Sequence, residues 1–346
     1  MRGRAALVAA AVLALAVVAG VSTGPASLSL PAVGRALLAG LPWHPHLGVP
    51  AVDVVILWQV RLPRVVLGGL VGAMLAGSGA AYQGVFRNPL ADPYLLGVAA
   101  GGGLGATAII VTGAPPQLLT PAAFAGAVAA VAVTYLLGTG AGSDPAGGRA
   151  AGGPGGPAAI VLAGVAVAAL LTAIQTYLQQ QHSQTLQQVY AWILGGLSLA
   201  SWSDVLLVLP YALVAAGVLV VHRRLLDVLR VGEPEAASLG LDVPRVRLTV
   251  VAAATLGTAA AVAVAGLIGF VGIIVPHTVR LTAGASYRTV LPVSMIGGAA
   301  FLILADVAAR TVQAPAEVPI GVITAAAGAP FFLFVLRSRR ARQDLS

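Results

Sequence analysis

The chain has 346 residues, 58% of them hydrophobic and 9% charged, where a soluble domain carries about 25% charged residues; a water-exposed globule is excluded, because most of this surface has to face lipid. There is no cysteine, which excludes disulfides and thiolate metal centres. All 19 basic residues are arginine, and the net charge of +8 reads as a cytoplasmic bias at helix ends rather than as affinity for nucleic acid.

A crossing helix needs about 20 apolar residues. The first apolar run covers 5–21, behind Arg2 and Arg4. With Thr23-Gly24-Pro25-Ala26-Ser27 after it, the run resembles a secretory leader, but it is longer than most leader cores and reads as a retained helix. Residues 22–60 read as an external loop broken by Pro42, Pro45 and Pro50, with Trp43 and Trp58 suited to an interfacial belt. Apolar runs follow at 65–85, 94–112 and 118–138. Residues 139–157 form a Gly/Pro-rich linker, which composition makes flexible. Runs at 158–178 and 205–221 flank a Gln-rich segment, 179–203, and residues 222–247 form the largest charged segment. The stretch 248–279 is too long for one crossing and too short for two full ones. It divides into 248–266 and a shorter, broken helix at 270–279, made irregular by Gly269, Gly272 and Pro276. Such backbone is tolerated at membrane depth only where protein or a cavity covers it. Runs at 289–305 and 318–336 complete the chain.

Charge decides between nine and ten crossings. With Arg2 and Arg4 inside, ten crossings also put Arg87, Arg149, Arg223, Arg224, Arg230, Arg245, Arg247, Arg280 and Arg288 inside, with the C-terminal Arg337, Arg339, Arg340 and Arg342. Only Arg35, Arg61, Arg64 and Arg310 remain outside. Nine crossings would put the C-terminal cluster on the wrong side. The expectation is therefore an all-α polytopic membrane protein of about ten helices, residues 1–346 forming one transmembrane domain with both termini cytoplasmic. Small residues at Gly68/Gly72, Gly97/Gly101/Gly105 and Gly164/Ala168 are spaced for close helix packing.

Four longer segments carry a resemblance. They are Arg61-Leu62-Pro63-Arg64, the stretch Gln83-Gly84-Val85-Phe86-Arg87-Asn88-Pro89-Leu90-Ala91-Asp92-Pro93, and Gly269-Phe270-Val271-Gly272-Ile273-Ile274-Val275-Pro276-His277 running on to Arg280. The fourth runs from Ala305-Asp306 through Arg310 and Ala316-Glu317-Val318-Pro319-Ile320-Gly321 to Gly328-Ala329-Pro330-Phe331-Phe332. Together they resemble the FecCD-type permeases of ATP-binding-cassette importers, which take up iron-siderophores, haem and cobalamin. The likeness covers nearly the whole chain beyond about residue 55.

The resemblance implies the type II importer architecture, a second permease copy in a homodimer or a paralogous heterodimer, and a pathway between the copies. It implies separate ATPase subunits, a periplasmic or lipid-anchored substrate-binding protein, and a place in the membrane of a bacterial cell. It assigns binding-protein docking to Arg61, Arg64 and Arg310. It assigns ATPase coupling to Glu233, Leu239 and Gly240 within 222–247, read as two short helices, with Pro234 interrupting the start of the first. Asn88, Pro89 and Leu90, with the start of the fifth crossing at Pro157-Ala158-Ala159, would narrow the cytoplasmic mouth. An iron-siderophore is the leading cargo, with haem and cobalamin open.

The residues agree with a non-enzymatic transport subunit. The chain contains no lysine and hence no phosphate-cradling loop, so ATP would be bound by a partner, and no cofactor is expected. An ion-coupled secondary transporter would need acids near the membrane midplane, and the apolar runs hold almost none. An intramembrane serine enzyme is the other alternative; Gly77-Ser78-Gly79 resembles part of a nucleophile turn, but Ala76 breaks the pattern. His277 invites a metal or proton role, yet no second His or acid lies near it in sequence, so a structural role and no metal are expected. Asp306 and Glu317 bracket the turn between the last two crossings, where they could pair with Arg310 or with helix ends.

Overall fold

The computed structural model describes residues 2–24, 28–41, 48–140 and 156–343. Trp43, the body of the 139–157 linker and the side chains of Arg339, Arg340 and Arg342 lie outside the described residues. Those described form helices and turns, without a strand.

The apolar runs become helices in the expected order. They are α1 (Arg2–Ser22), then α2 (Leu30–Ala39) and α3 (Ala51–Val55), then α4 (Leu62–Val85), α5 (Val98–Thr112), α6 (Leu119–Gly140) and α7 (Pro157–Gln181). After them come α8 (Leu186–Ile193), α9 (Trp202–Leu229), α10 (Glu233–Ser238), α11 (Val243–Ala265), α12 (Val271–Ala283), α13 (Tyr287–Thr311) and α14 (Ile320–Gln343). Among the described residues, 7 helices are long and apolar enough to cross a membrane, while α5, α12 and the apolar part of α14 are shorter.

α4 is the axis of the bundle. It is buried along nearly its whole length and lies against α13, α11, α9 and α12. The approach to α13 and α12 is close because glycines face each other: a Cβ on Gly72 would run into the Gly298 carbonyl, and one on Gly79 into the Gly272 carbonyl. Small residues at such crossings let backbones meet where lipid supplies no hydrophobic drive. Gly101 and Gly105 do the same for α5 against α6. Gly97 differs from the helix-packing role expected of it, since it is the left-handed cap of α5 at φ 88°. α7 sits at the periphery with most of its surface uncovered, as a lipid- or partner-facing helix does.

The expected break between α11 and α12 is present at 266–270, with Gly266 at φ 70° and Phe270 at φ 69°. Its backbone groups are satisfied by other segments, as membrane depth demands. The Tyr94 hydroxyl donates to the Ile268 carbonyl at 3.0 Å and accepts from the Ile268 N–H at 2.9 Å. Gly196 N–H donates to the Ala265 carbonyl at 3.0 Å. The 86–97 loop therefore folds back against the break instead of remaining at the helix ends. α5 accordingly starts later than its apolar run suggested.

The segment 22–60 is not the plain loop expected. α2 is capped by Ser29, whose hydroxyl accepts from Ala32 N–H, and has proline in its first turn. α3 continues through a π-helical stretch, Ile56–Arg61, into α4. The Trp58 indole N–H donates to the Ala36 carbonyl at 3.1 Å, and the Trp202 indole N–H donates to the Trp58 carbonyl at 2.7 Å.

Candidate functional site

The helices expose two polar ends, and a groove opens between α5 and α7. The arginine-rich end gathers Arg87, Arg230, Arg245, Arg247, Arg280 and Arg288; the opposite end holds Arg61, Arg64 and Arg310.

At the opposite end, α4 and α13 bring together residues 242 positions apart in sequence. Arg64 Nε lies 2.9 Å and 3.0 Å from the two oxygens of Asp306, and its Nη1 and Nη2 reach Glu317 at 2.8 Å and 2.9 Å. Arg310 shares Asp306 at 3.3 Å and donates to the Gly20 carbonyl of α1 at 3.0 Å. Arg61 caps the end of α1, donating to the Val21 and Ser22 carbonyls at 2.6 Å and 2.9 Å. The Arg64 guanidinium holds the Glu317 carboxyl below its ordinary range. Planar forks suit such paired carboxylates.

Arg61, Arg64 and Arg310, the residues that the resemblance assigns to docking, come together at this end, where they are 4%, 7% and 3% exposed and engage acids and helix ends of the chain itself. Asp306 pairs with Arg310 as expected, but both acids have Arg64 as their main partner. A charge count assigns an arginine to a side of the membrane and says nothing of whether it faces water or a neighbouring helix.

At the arginine-rich end, α10 stands between α9 and α11. One short helix is present where two were expected; the second is the first turn of α11, capped by Asp242. Pro234 does not interrupt α10, because it occupies the first turn, where its missing N–H leaves no bond unmade. Glu233 is clamped by Arg247 of α11. Leu239 is 72% exposed, and Gly240 turns the chain at φ 82° with open space around it. Residues 87–90 form an exposed turn in which the Asn88 side-chain oxygen accepts from Leu90 N–H at 2.9 Å.

Gln83 is the residue that sequence reading passed over, although it stood inside a quoted motif. Its amide donates to the carbonyls of Ala91 at 3.1 Å and Gly272 at 3.0 Å, and its oxygen accepts from Arg280. One side chain thus ties α4, the 86–97 loop and both ends of α12. A polar residue inside an apolar run was the available signal.

The groove, about 390 Å³, runs between α5 and α7 and is lined by Tyr94, Thr172, Gln175, Thr176 and Gln179 among small and aliphatic residues, with no charged side chain. Among the described residues no three His, Asp or Glu side chains group to hold a metal ion. His277 packs edge-on against Phe331, ring centroids 5.9 Å apart. Ser78, the candidate nucleophile, is fully buried and donates to the Ala254 carbonyl at 2.9 Å inside the helix contact.

Comparison with known proteins covers the same elements. The sequence pattern of the FecCD transport family matches residues 12–338. The cobalamin import system permease protein BtuC of Halobacterium salinarum is 42% identical over 343 residues, 96% of this chain and 88% of that protein. The hemin transport system permease protein HmuU of Yersinia pestis is 39% identical over 295 residues, 82% of this chain and 84% of that one. A solved structure described as an inward-facing conformation of a metal-chelate type ABC transporter superposes with a TM-score of 0.83 at 28% identity, covering 97% of this chain and 99% of that one.

Proposed function

The chain belongs to the FecCD transport family and is a permease of the metal-chelate, haem and cobalamin type of ATP-binding-cassette importer, not an enzyme; from that premise we propose which cargo, partners and orientation are its own. The cargo is a bulky chelate that crosses with its metal enclosed. The α5–α7 groove carries this reading: it offers hydroxyl and amide groups and no charge, which suits a ligand whose metal is already coordinated and offers no carboxylate to balance a bare cation. Identity to a cobalamin permease along nearly the full chain puts cobalamin first among cargoes to test, ahead of the iron-siderophore that the sequence motifs alone favoured.

The arginine-rich end lies in the cytoplasm, in keeping with the positive-inside rule. There the exposed Leu239 and Gly240 of the α10 turn receive the ATPase, while Glu233 transmits its displacement to α11 through Arg247. Asn88, Pro89 and Leu90 border the cytoplasmic mouth. At the opposite end, a substrate-binding protein docks over the network of Arg61, Arg64 and Arg310, whose role is to hold the ends of α1, α4 and α13 in register. A second permease copy covers the uncovered face of α7. The test is uptake of labelled cobalamin and of a labelled ferric siderophore into vesicles that hold the permease, its ATPase and the cognate binding protein. Accumulation of one chelate and exclusion of free ferric ion fits the proposal, and transport of free ferric ion at an equal rate would contradict it.

A further inference from the structure

At the arginine-rich end a separate cavity of about 310 Å³ lies where α4, α9, α12 and α13 end. Its wall includes three guanidinium side chains from three elements: Arg87 after α4, Arg230 after α9 and Arg280 in the last turn of α12. Pro89 of the exposed turn closes one side.

Arginines beside helix C-termini often serve only to offset the helix dipole. Arg280 is held otherwise. Its Nη1 donates to the Gln83 oxygen, its Nη2 lies 3.4 Å from the Tyr287 hydroxyl, and its guanidinium sits 5.6 Å from the Tyr287 ring centre. Gln83 has both amide hydrogens committed elsewhere, so its oxygen fixes Arg280, which also lines the cavity. Arg230 is braced by the Ala285 carbonyl at 2.7 Å. Arg87 adopts a left-handed backbone, φ 51°, which a residue with a β-carbon does not adopt without cost.

The negative charge nearby does not balance these groups. Among the described residues, no carboxylate lies within ion-pair distance of Arg87 or Arg280. Asp227 stands 3.9 Å from Arg230, but its oxygens accept from the Ser286 hydroxyl and the Tyr287 N–H, both at 2.7 Å. Three forks converge on one space. A planar carboxylate presents two acceptor oxygens and one negative charge, whereas a tetrahedral phosphate presents at least three acceptor oxygens in three directions and a charge of up to about −2, a better match to three converging forks.

We propose that this cavity is a phosphate-binding site, in which Arg87, Arg230 and Arg280 hold one phosphate group and so tie the 87–90 turn to the ends of α9 and α12. The group can be free phosphate or the headgroup of an anionic lipid. The proposal goes beyond the transport reading and does not depend on the cargo.

The full chain is purified in detergent, and its thermal unfolding is followed with rising inorganic phosphate, or with acetate at matched ionic strength. Phosphate should raise the midpoint saturably and acetate should not. Arg87→Gln, an exposed position without an ionic partner, should keep the phosphate-free midpoint yet need about tenfold more phosphate, the loss of roughly one charge-assisted contact. Arg280→Gln should weaken the response at least as much. The titration is repeated in nanodiscs of phosphatidylcholine with or without phosphatidylglycerol. If lipid supplies the group, phosphatidylglycerol raises the wild-type midpoint, fails to raise that of Arg87→Gln, and abolishes the phosphate response. If phosphate is the ligand, its effect persists in both discs. Equal action of acetate and phosphate, or a response to phosphate and lipid that Arg87→Gln leaves intact, would overturn the proposal.

Discussion

Arg64 is held by two carboxylates, Asp306 and Glu317. Its guanidinium and the Asp306 carboxylate are 8% and 3% exposed, so each depends on the other for the contacts that water would otherwise give. Removing one member of a buried pair costs about 3–5 kcal/mol, because the survivor remains charged and out of water. Arg64→Ala should lower unfolding stability in detergent by about that amount. Glu317 is a third exposed, and Glu317→Gln should cost about 1 kcal/mol or less at neutral pH. The sign of the pH dependence follows from the lowered carboxyl of Glu317. A depressed acid stabilises the fold fully above its unfolded value, and that contribution is lost as pH falls through the folded value. The midpoints of wild type and Glu317→Gln should therefore differ at neutral pH and converge on acidification; a gap that widens in acid would contradict the pairing. All of these residues stood in motifs visible in the sequence. Their pairing did not, because a contact across 242 positions leaves no local period to read. For the same reason the arginines could be given a side of the membrane but not a direction.

The elements were more legible than the contacts between them. Ten apolar runs predicted helices, and the break before α12 could be read from its glycines and proline, since backbone at membrane depth is either helical or covered. What covers it, Tyr94, comes from a loop whose sequence read as the start of a crossing. α2 announced itself by Ser29 and Pro31, a capping hydroxyl followed by proline in the first turn, but its segment was read by its other prolines. α10 tests the link from element to partner. Gly240 has φ 82°, where a side chain is strained, and it lies on the exposed turn. Gly240→Trp should leave membrane insertion unchanged while weakening ATPase attachment, measured by co-purification and by ligand-stimulated ATP hydrolysis. Normal stimulation in that variant would remove α10 from the coupling path.

For the whole molecule, the proposed orientation rests on the segregation of arginine to one end. A reporter fused after Arg342 should be active in its cytoplasmic form and silent in a form that needs export. The opposite result would invert every assignment of inside and outside. The expected division of labour rests on composition: a chain without lysine holds no phosphate-cradling loop, and among the described residues the buried Asp306 is paired with Arg64 and Arg310 at one end. The most direct measurement is uptake of labelled chelate into vesicles containing the permease, its ATPase and the binding protein. ATP is supplied only on the arginine-rich side, with and without proton and sodium gradients. Uptake should require ATP hydrolysis and should not respond to collapse of the gradients. Accumulation driven by a gradient in the absence of ATP would contradict the account.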